Sequence, residues 1–174
     1  SAAGADVPTI IGLGETESGM VYLVSSQVEG LPLADCDNDL ITPSVLASLW
    51  GQVLEFRRAR LAHRNLSLTN VIIGSDQSAR VIDFDGADVS ADDRDLDRDV
   101  AELLVSLSAK VGVDATVSSA IETLGGDVVA ATLPQLQPLA LPPEIRTLAK
   151  HHKGLLDELG STVQDRTGAH DVEL

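Results

Sequence analysis

Apolar and polar positions along this chain fall into blocks that mark out its elements before any other property is considered. Two apolar runs come first, Thr9 to Leu13 and Met20 to Val28, and Glu15-Thr16-Glu17-Ser18-Gly19 between them has turn chemistry, so the pair predicts a two-stranded hairpin. Leu33 to Ile41 is rich in Asp and Asn and reads as a loop. It ends at Thr42-Pro43, a capping side chain followed by proline at the first helical position. A helix is expected from there to about Arg60: Val45, Leu46, Leu49, Trp50, Val53 and Leu54 recur at helical spacing, and Arg57, Arg58 and Arg60 favour the negative helix end. Asn70 to Ile73 and Arg80 to Phe84 are short β-branched runs joined by Gly74 to Ser78, which predicts a second hairpin. After an acidic loop the helical period returns from Leu96 through Val100, Leu103, Leu104 and Leu107. Further helices are expected at Asp114 to Leu124, Gly126 to Leu133, Pro143 to His151 and Leu155 to Gln164, punctuated by Gly125, Pro134, Pro138, Pro142 and Gly154. Strands grouped early and helices late predict an α+β fold that is mostly helical.

Composition narrows the function classes. A chain of 174 residues that is 44% hydrophobic can build one compact domain with a real core. With 27 Asp and Glu against 12 Lys and Arg its formal charge is -15, which repels phosphate backbones and anionic headgroups, so nucleic acid is not an expected partner. The single cysteine, Cys36, allows no internal disulfide and no thiolate metal site by itself, which suits a reducing, cytoplasmic setting. No apolar run approaches the roughly 20 residues that cross a bilayer, so direct membrane insertion of this chain is not expected. Residues 1–8 read as a linker or scar and residues 167–174 as a disordered polar tail.

Chemistry concentrates in one stretch. Ala62-His63-Arg64-Asn65-Leu66-Ser67-Leu68-Thr69-Asn70 is followed, after the second hairpin turn, by Val81-Ile82-Asp83-Phe84-Asp85. This resembles the signature pair of the protein kinases: His63, Arg64 and Asn70 fall on the catalytic-loop pattern H-R-D-x-x-x-x-N, and Asp83 and Phe84 on D-F-G. The resemblance implies a kinase-like carboxy-terminal lobe over residues 31–166, with residues 9–30 as a remnant hairpin of the amino-terminal lobe and the hinge. It also implies that Asn70 and Asp83 supply oxygen ligands to magnesium beside the phosphates of ATP. Two positions depart from the pattern. Asn65 stands where the family has the aspartate that accepts the substrate proton, and a carboxamide cannot take that proton. Asp85 replaces the glycine of D-F-G and adds a carboxylate near the metal position.

Other parts of the kinase apparatus have no counterpart in the sequence. Lys110, Lys150 and Lys153 all lie beyond Phe84, so none can be the strand lysine that meets the phosphates, and no glycine-rich phosphate loop is found. Two origins remain open, a piece of a longer protein, which is preferred, or a chain that never had a small lobe. The stretch from Asp83 to Asp99 leaves no room for a protein-kinase activation segment. It is similar to the short connection of aminoglycoside and other small-molecule phosphotransferases, in which an aspartate at the position of Asp99 braces the catalytic loop. The whole arrangement also looks like the kinase-like domain ahead of the transmembrane region in actinobacterial membrane proteins related to lysylphosphatidylglycerol synthases and flippases. That likeness implies a cytosolic face and a membrane domain in cis.

Plainer readings stand beside these. Gly12-Leu13-Gly14 lacks the third glycine of a dinucleotide fingerprint, and Gly14 to Gly19 has a P-loop's glycine spacing with Met20 and Val21 where Lys and Ser or Thr belong. Asp88, Asp92, Asp93, Asp95 and Asp97 lack an EF-hand's glycine turn and closing glutamate, and read as a solvated acidic loop. His63 reads as a brace for the metal-binding segment, Arg64 either as a surface cation or as partly buried against a carboxylate, and His151 and His152 as exposed. The first expectation is thus a pseudokinase, a regulatory or interaction module with at most weak magnesium and ATP binding. Alternatives are a small-molecule phosphotransferase using Asp85 as base, and a structural helical domain that binds a basic protein partner. An unpaired edge at Thr9 to Leu13 or Met20 to Val28 offers a route to a homodimer.

Overall fold

The computed structural model describes residues 8–18 and 21–169. Strands β1 (Ile10–Glu15) and β2 (Val21–Ser25) form the first antiparallel hairpin, with a register irregularity between Ile10 and Gly12. A second sheet has the order β3-β4-β5, from β3 (Leu31–Pro32), β4 (Val71–Ile73) and β5 (Ala79–Val81), all antiparallel. The sequence pattern missed β3 because it is two residues long and ends in proline, which only an edge position tolerates. Gly30 lets β3 reach β4: at φ 143°, a Cβ there would stand 2.2 Å from the Ile73 carbonyl oxygen.

Helix α1 (Pro43–Arg58) begins as expected, with the Thr42 side chain accepting a hydrogen bond from the Val45 amide at 3.3 Å. Its inward face buries Val45, Leu46, Leu49, Trp50, Val53 and Phe56. Helix α2 (Asp93–Val111) starts three residues earlier than the apolar period indicated, since Asp92, not a residue nearer Leu96, caps it through the Asp95 amide at 2.9 Å. From Asp99 to Ser108 every residue of α2 is buried, so this is a central helix and not the one-sided helix its period suggested. Around it pack α3 (Val113–Leu124), α4 (Gly126–Ala130), α5 (Pro143–His151) and α6 (Leu155–Thr167). Helix α4 is shorter than predicted: the chain turns through Thr132, whose hydroxyl bonds the Val129 carbonyl, into a 3₁₀ turn at Leu133–Gln135. Helix α6 runs past Gln164 and closes at Gly168, φ 70°, so Thr167 is helical; residues 170–174 of the expected tail, and 1–7 of the expected linker, lie outside the described residues. The fold is α+β and mostly helical. Among the described residues no helix is long and apolar enough to cross a membrane.

Candidate functional site

The site is assembled where α1 ends and the chain crosses α2. After Phe56, whose carbonyl receives the Leu61 amide, Ala62 exchanges two backbone hydrogen bonds with Asp88, at 2.9 and 2.8 Å. His63 follows, fully buried, and its amide donates to Asp99 Oδ2 at 2.5 Å while the Arg64 amide donates to Asp99 Oδ1 at 2.9 Å. Asp99 is therefore the brace that the sequence likeness implied, reaching the loop from the core. Beyond it the Asn65 carbonyl accepts both the Ser67 amide at 2.9 Å and Asn70 Nδ2 at 3.0 Å, closing the loop on itself. Asn70 belongs to a 3₁₀ turn, Leu68–Asn70, and not to the strand predicted from it.

Strand pairing then sets the two loops side by side. The Val71–Val81 pair is extended by an Ile82 amide bond to the Asn70 carbonyl at 2.9 Å, which puts Asn70 and Asp83 at the same end of the ladder. Asp83 has φ 65°, so the chain cannot stay extended there, and the strand predicted to Phe84 stops at Val81. Arg64, at φ 64°, is likewise left-handed; each of the two loops thus holds one non-glycine residue in a sparsely populated backbone region. His63 ties the loops together: its Nε2 lies 2.9 Å from the Ile82 carbonyl, which can only accept, so the proton is on Nε2. The His63 ring packs against Phe84 at 4.9 Å between centroids, and Phe84 meets Phe56 edge to face at 5.7 Å.

Two buried acids on α2 carry the loop. Burial pushes the Asp99 carboxyl up in pKa, against the pull of the His63 and Arg64 amides. Glu102, one turn further along, is raised to about 7, first by burial and then by Asp99, while Arg98 and the Leu66 amide oppose the shift. Sequence reading missed Glu102, because it sits inside the apolar run Val100 to Leu107; its spacing from Asp99 on one helical face was the available signal. The acidic stretch is not a free solvated loop. Asp97 pairs with Arg57 at 2.9 Å, Asp93 with Arg60 at 2.5 Å, and Arg64 holds Asp88 at 2.7 Å and Asp95 at 3.2 Å. Arg64 is accordingly a half-exposed cation clamped by carboxylates, and its pKa is raised chiefly by the hydrogen bond to Asp95.

Asn70 Nδ2 is committed to the loop, which leaves its amide oxygen without a hydrogen bond among the described residues, and the exposed Asp83 carboxylate makes none to a described residue. These are hard oxygen donors of the kind magnesium takes, and two protein ligands suffice when phosphate and water complete the shell. Asp85 is exposed beside them, as is Asn65. No group of three or more His, Cys, Asp or Glu able to hold a metal occurs among the described residues; His151 and His152 are both exposed. Compared with models of known protein families and with curated proteins, the chain matches none.

Proposed function

We propose that the chain is a degenerate kinase-like lobe retained as a regulatory or interaction module, a pseudokinase. The observation that carries this reading is the contrast at one loop: its scaffold is intact, with Asp99 under His63 and Arg64 and with Asn70 and Asp83 at one end of the ladder, yet Asn65 stands at the position of the proton acceptor. A carboxamide takes no proton at ordinary pH, and losing a general base lowers rate by on the order of 10² to 10⁴. Lys110 is on α2 and Lys150 on α5, so neither can clamp phosphates from a strand. When magnesium and ATP bind, Asn70 and Asp83 are the residues that would hold the metal, which neutralises phosphate charge.

A second reading, a small-molecule phosphotransferase, is favoured by the exposed Asp85 carboxylate next to Phe84, which could act as base where Asn65 only orients a hydroxyl. One titration separates the two. Thermal unfolding is followed with ATP and magnesium, with EDTA added, and in Asp83→Ala. Native-state binding must raise the midpoint. A pseudokinase module is expected to show little or no shift at millimolar nucleotide; a large shift abolished by EDTA and by Asp83→Ala supports the phosphotransferase.

A further inference from the structure

A cavity of about 430 Å³ opens between the first turns of α2, the segment before α5 and α5 itself. Arg94, Arg98 and Arg146 all line it, together with Gln135. That is a dense share of cations for a chain with only 12 Lys and Arg and a charge of -15. All three keep guanidinium donors without a partner among the described residues. Arg94 is exposed and makes no hydrogen bond or ion pair among the described residues, in contrast to Arg57, Arg58, Arg60 and Arg64 nearby, each held by a carboxylate. Arg146 spends Nη2 on the Leu141 carbonyl at 3.0 Å, but its Nε is buried without a hydrogen-bond partner among the described residues. That Nε is buried away from the cavity surface, so Arg146 meets the cavity through the rest of its guanidinium. Arg98 gives its Nε to Glu102 at 3.1 Å, which leaves its two amino groups on the half-exposed side.

We propose that this cavity is an anion site that takes a small phosphomonoester. Planar guanidinium forks match phosphate oxygens two at a time, and a phosphomonoester dianion offers three such oxygens to three forks. Asp92 and Asp95 also line the cavity, but Asp95 is bonded by Arg64 and Asp92 by the Asp95 amide, so neither pairs with the three arginines. The ligand is small because the charge of the chain as a whole repels extended polyanions and anionic lipid surfaces, whereas a compact solute meets mainly the local cations. This site is separate from Asn70 and Asp83 and does not depend on the pseudokinase reading.

The test titrates the protein with inorganic phosphate and with glycerol 3-phosphate at constant ionic strength, chloride serving as the blank, and follows arginine Nε–H resonances by NMR. The Arg146 and Arg94 signals are expected to move and saturate. Arg94→Gln and Arg98→Gln should each weaken binding about tenfold, and Arg146→Lys, which keeps the charge but loses the fork, by a similar factor. Arg94 is exposed and unpartnered among the described residues, so its variant keeps the fold and the test stays decisive if Arg146→Lys does not fold. Linear, unsaturated shifts up to on the order of tens of millimolar, or unchanged affinity in Arg94→Gln, would overturn the assignment. So would sedimentation with vesicles containing phosphatidic acid in the absence of any response to the soluble phosphates.

Discussion

Glu102 illustrates how one buried acid can govern a loop it does not belong to. The residue is 1% exposed, it is bonded by Arg98, and the Leu66 amide of the loop after α1 acts on it. Its pKa of about 7 in the fold lies above the ordinary glutamate value of 4.5, so the folded protein binds more protons than the unfolded chain between those limits. The contribution is full below pH 4.5 and is lost as pH rises through about 7. Glu102→Gln removes the titration while keeping an acceptor. In denaturant unfolding at a series of pH values, the wild type is expected to lose stability relative to Glu102→Gln across this window, by on the order of 3 kcal/mol. Parallel pH profiles would mean that Glu102 does not titrate there.

Elements with strong local signals were legible from the residues, and those set by tertiary contact were not. Thr42-Pro43 announced the start of α1, and Thr42→Ala is expected to cost about 1 kcal/mol in denaturant unfolding, because the Val45 amide loses its cap. A change below a few tenths of a kcal/mol would show that the 3.3 Å contact contributes little. The boundaries of α3 and α5 were likewise close to expectation, since glycine and proline fix them locally, whereas β2 stops at Ser25 and not Val28, and β5 at Val81 and not Phe84. The strand Leu31–Pro32 was hidden because its partner lies forty residues on, and pairing with Ile72 and Ile73 defines it. The left-handed Asp83 ended a strand that β-propensity alone would have continued. At the candidate site, His63, Arg64, Asn65, Asn70, Asp83 and Asp85 were singled out by their likeness to the kinase pattern; the partners of Arg57, Arg60 and Arg64 were not foreseen, because those carboxylates arrive from the next helix and the segment before it.

Charge dominates the behaviour of the molecule as a whole. Short-range ion pairs hold Arg57, Arg60 and Arg64, three of the twelve cations, between the end of α1 and the start of α2, while the excess of acids, 27 against 12, is left to repel itself. Raising sodium chloride from about 20 mM to about 300 mM is expected to increase the thermal midpoint, because self-repulsion is long-ranged and screened first. A falling midpoint would show instead that the ion pairs around Arg57, Arg60 and Arg64 dominate. Among the described side chains, the core begins at Leu33, and Ile11 and Leu13 of the first hairpin are 68% and 73% exposed. The suspension of the loop from Asp99 also has a kinetic side. His63 and Arg64 give their amides to a residue more than thirty positions later, so the loop cannot close until α2 has docked. In pulse-labelled hydrogen exchange during refolding, these two amides should gain protection together with the Val100–Leu104 segment of α2 and later than the interior of α1, making the folding of the loop a reporter of the helix beneath it.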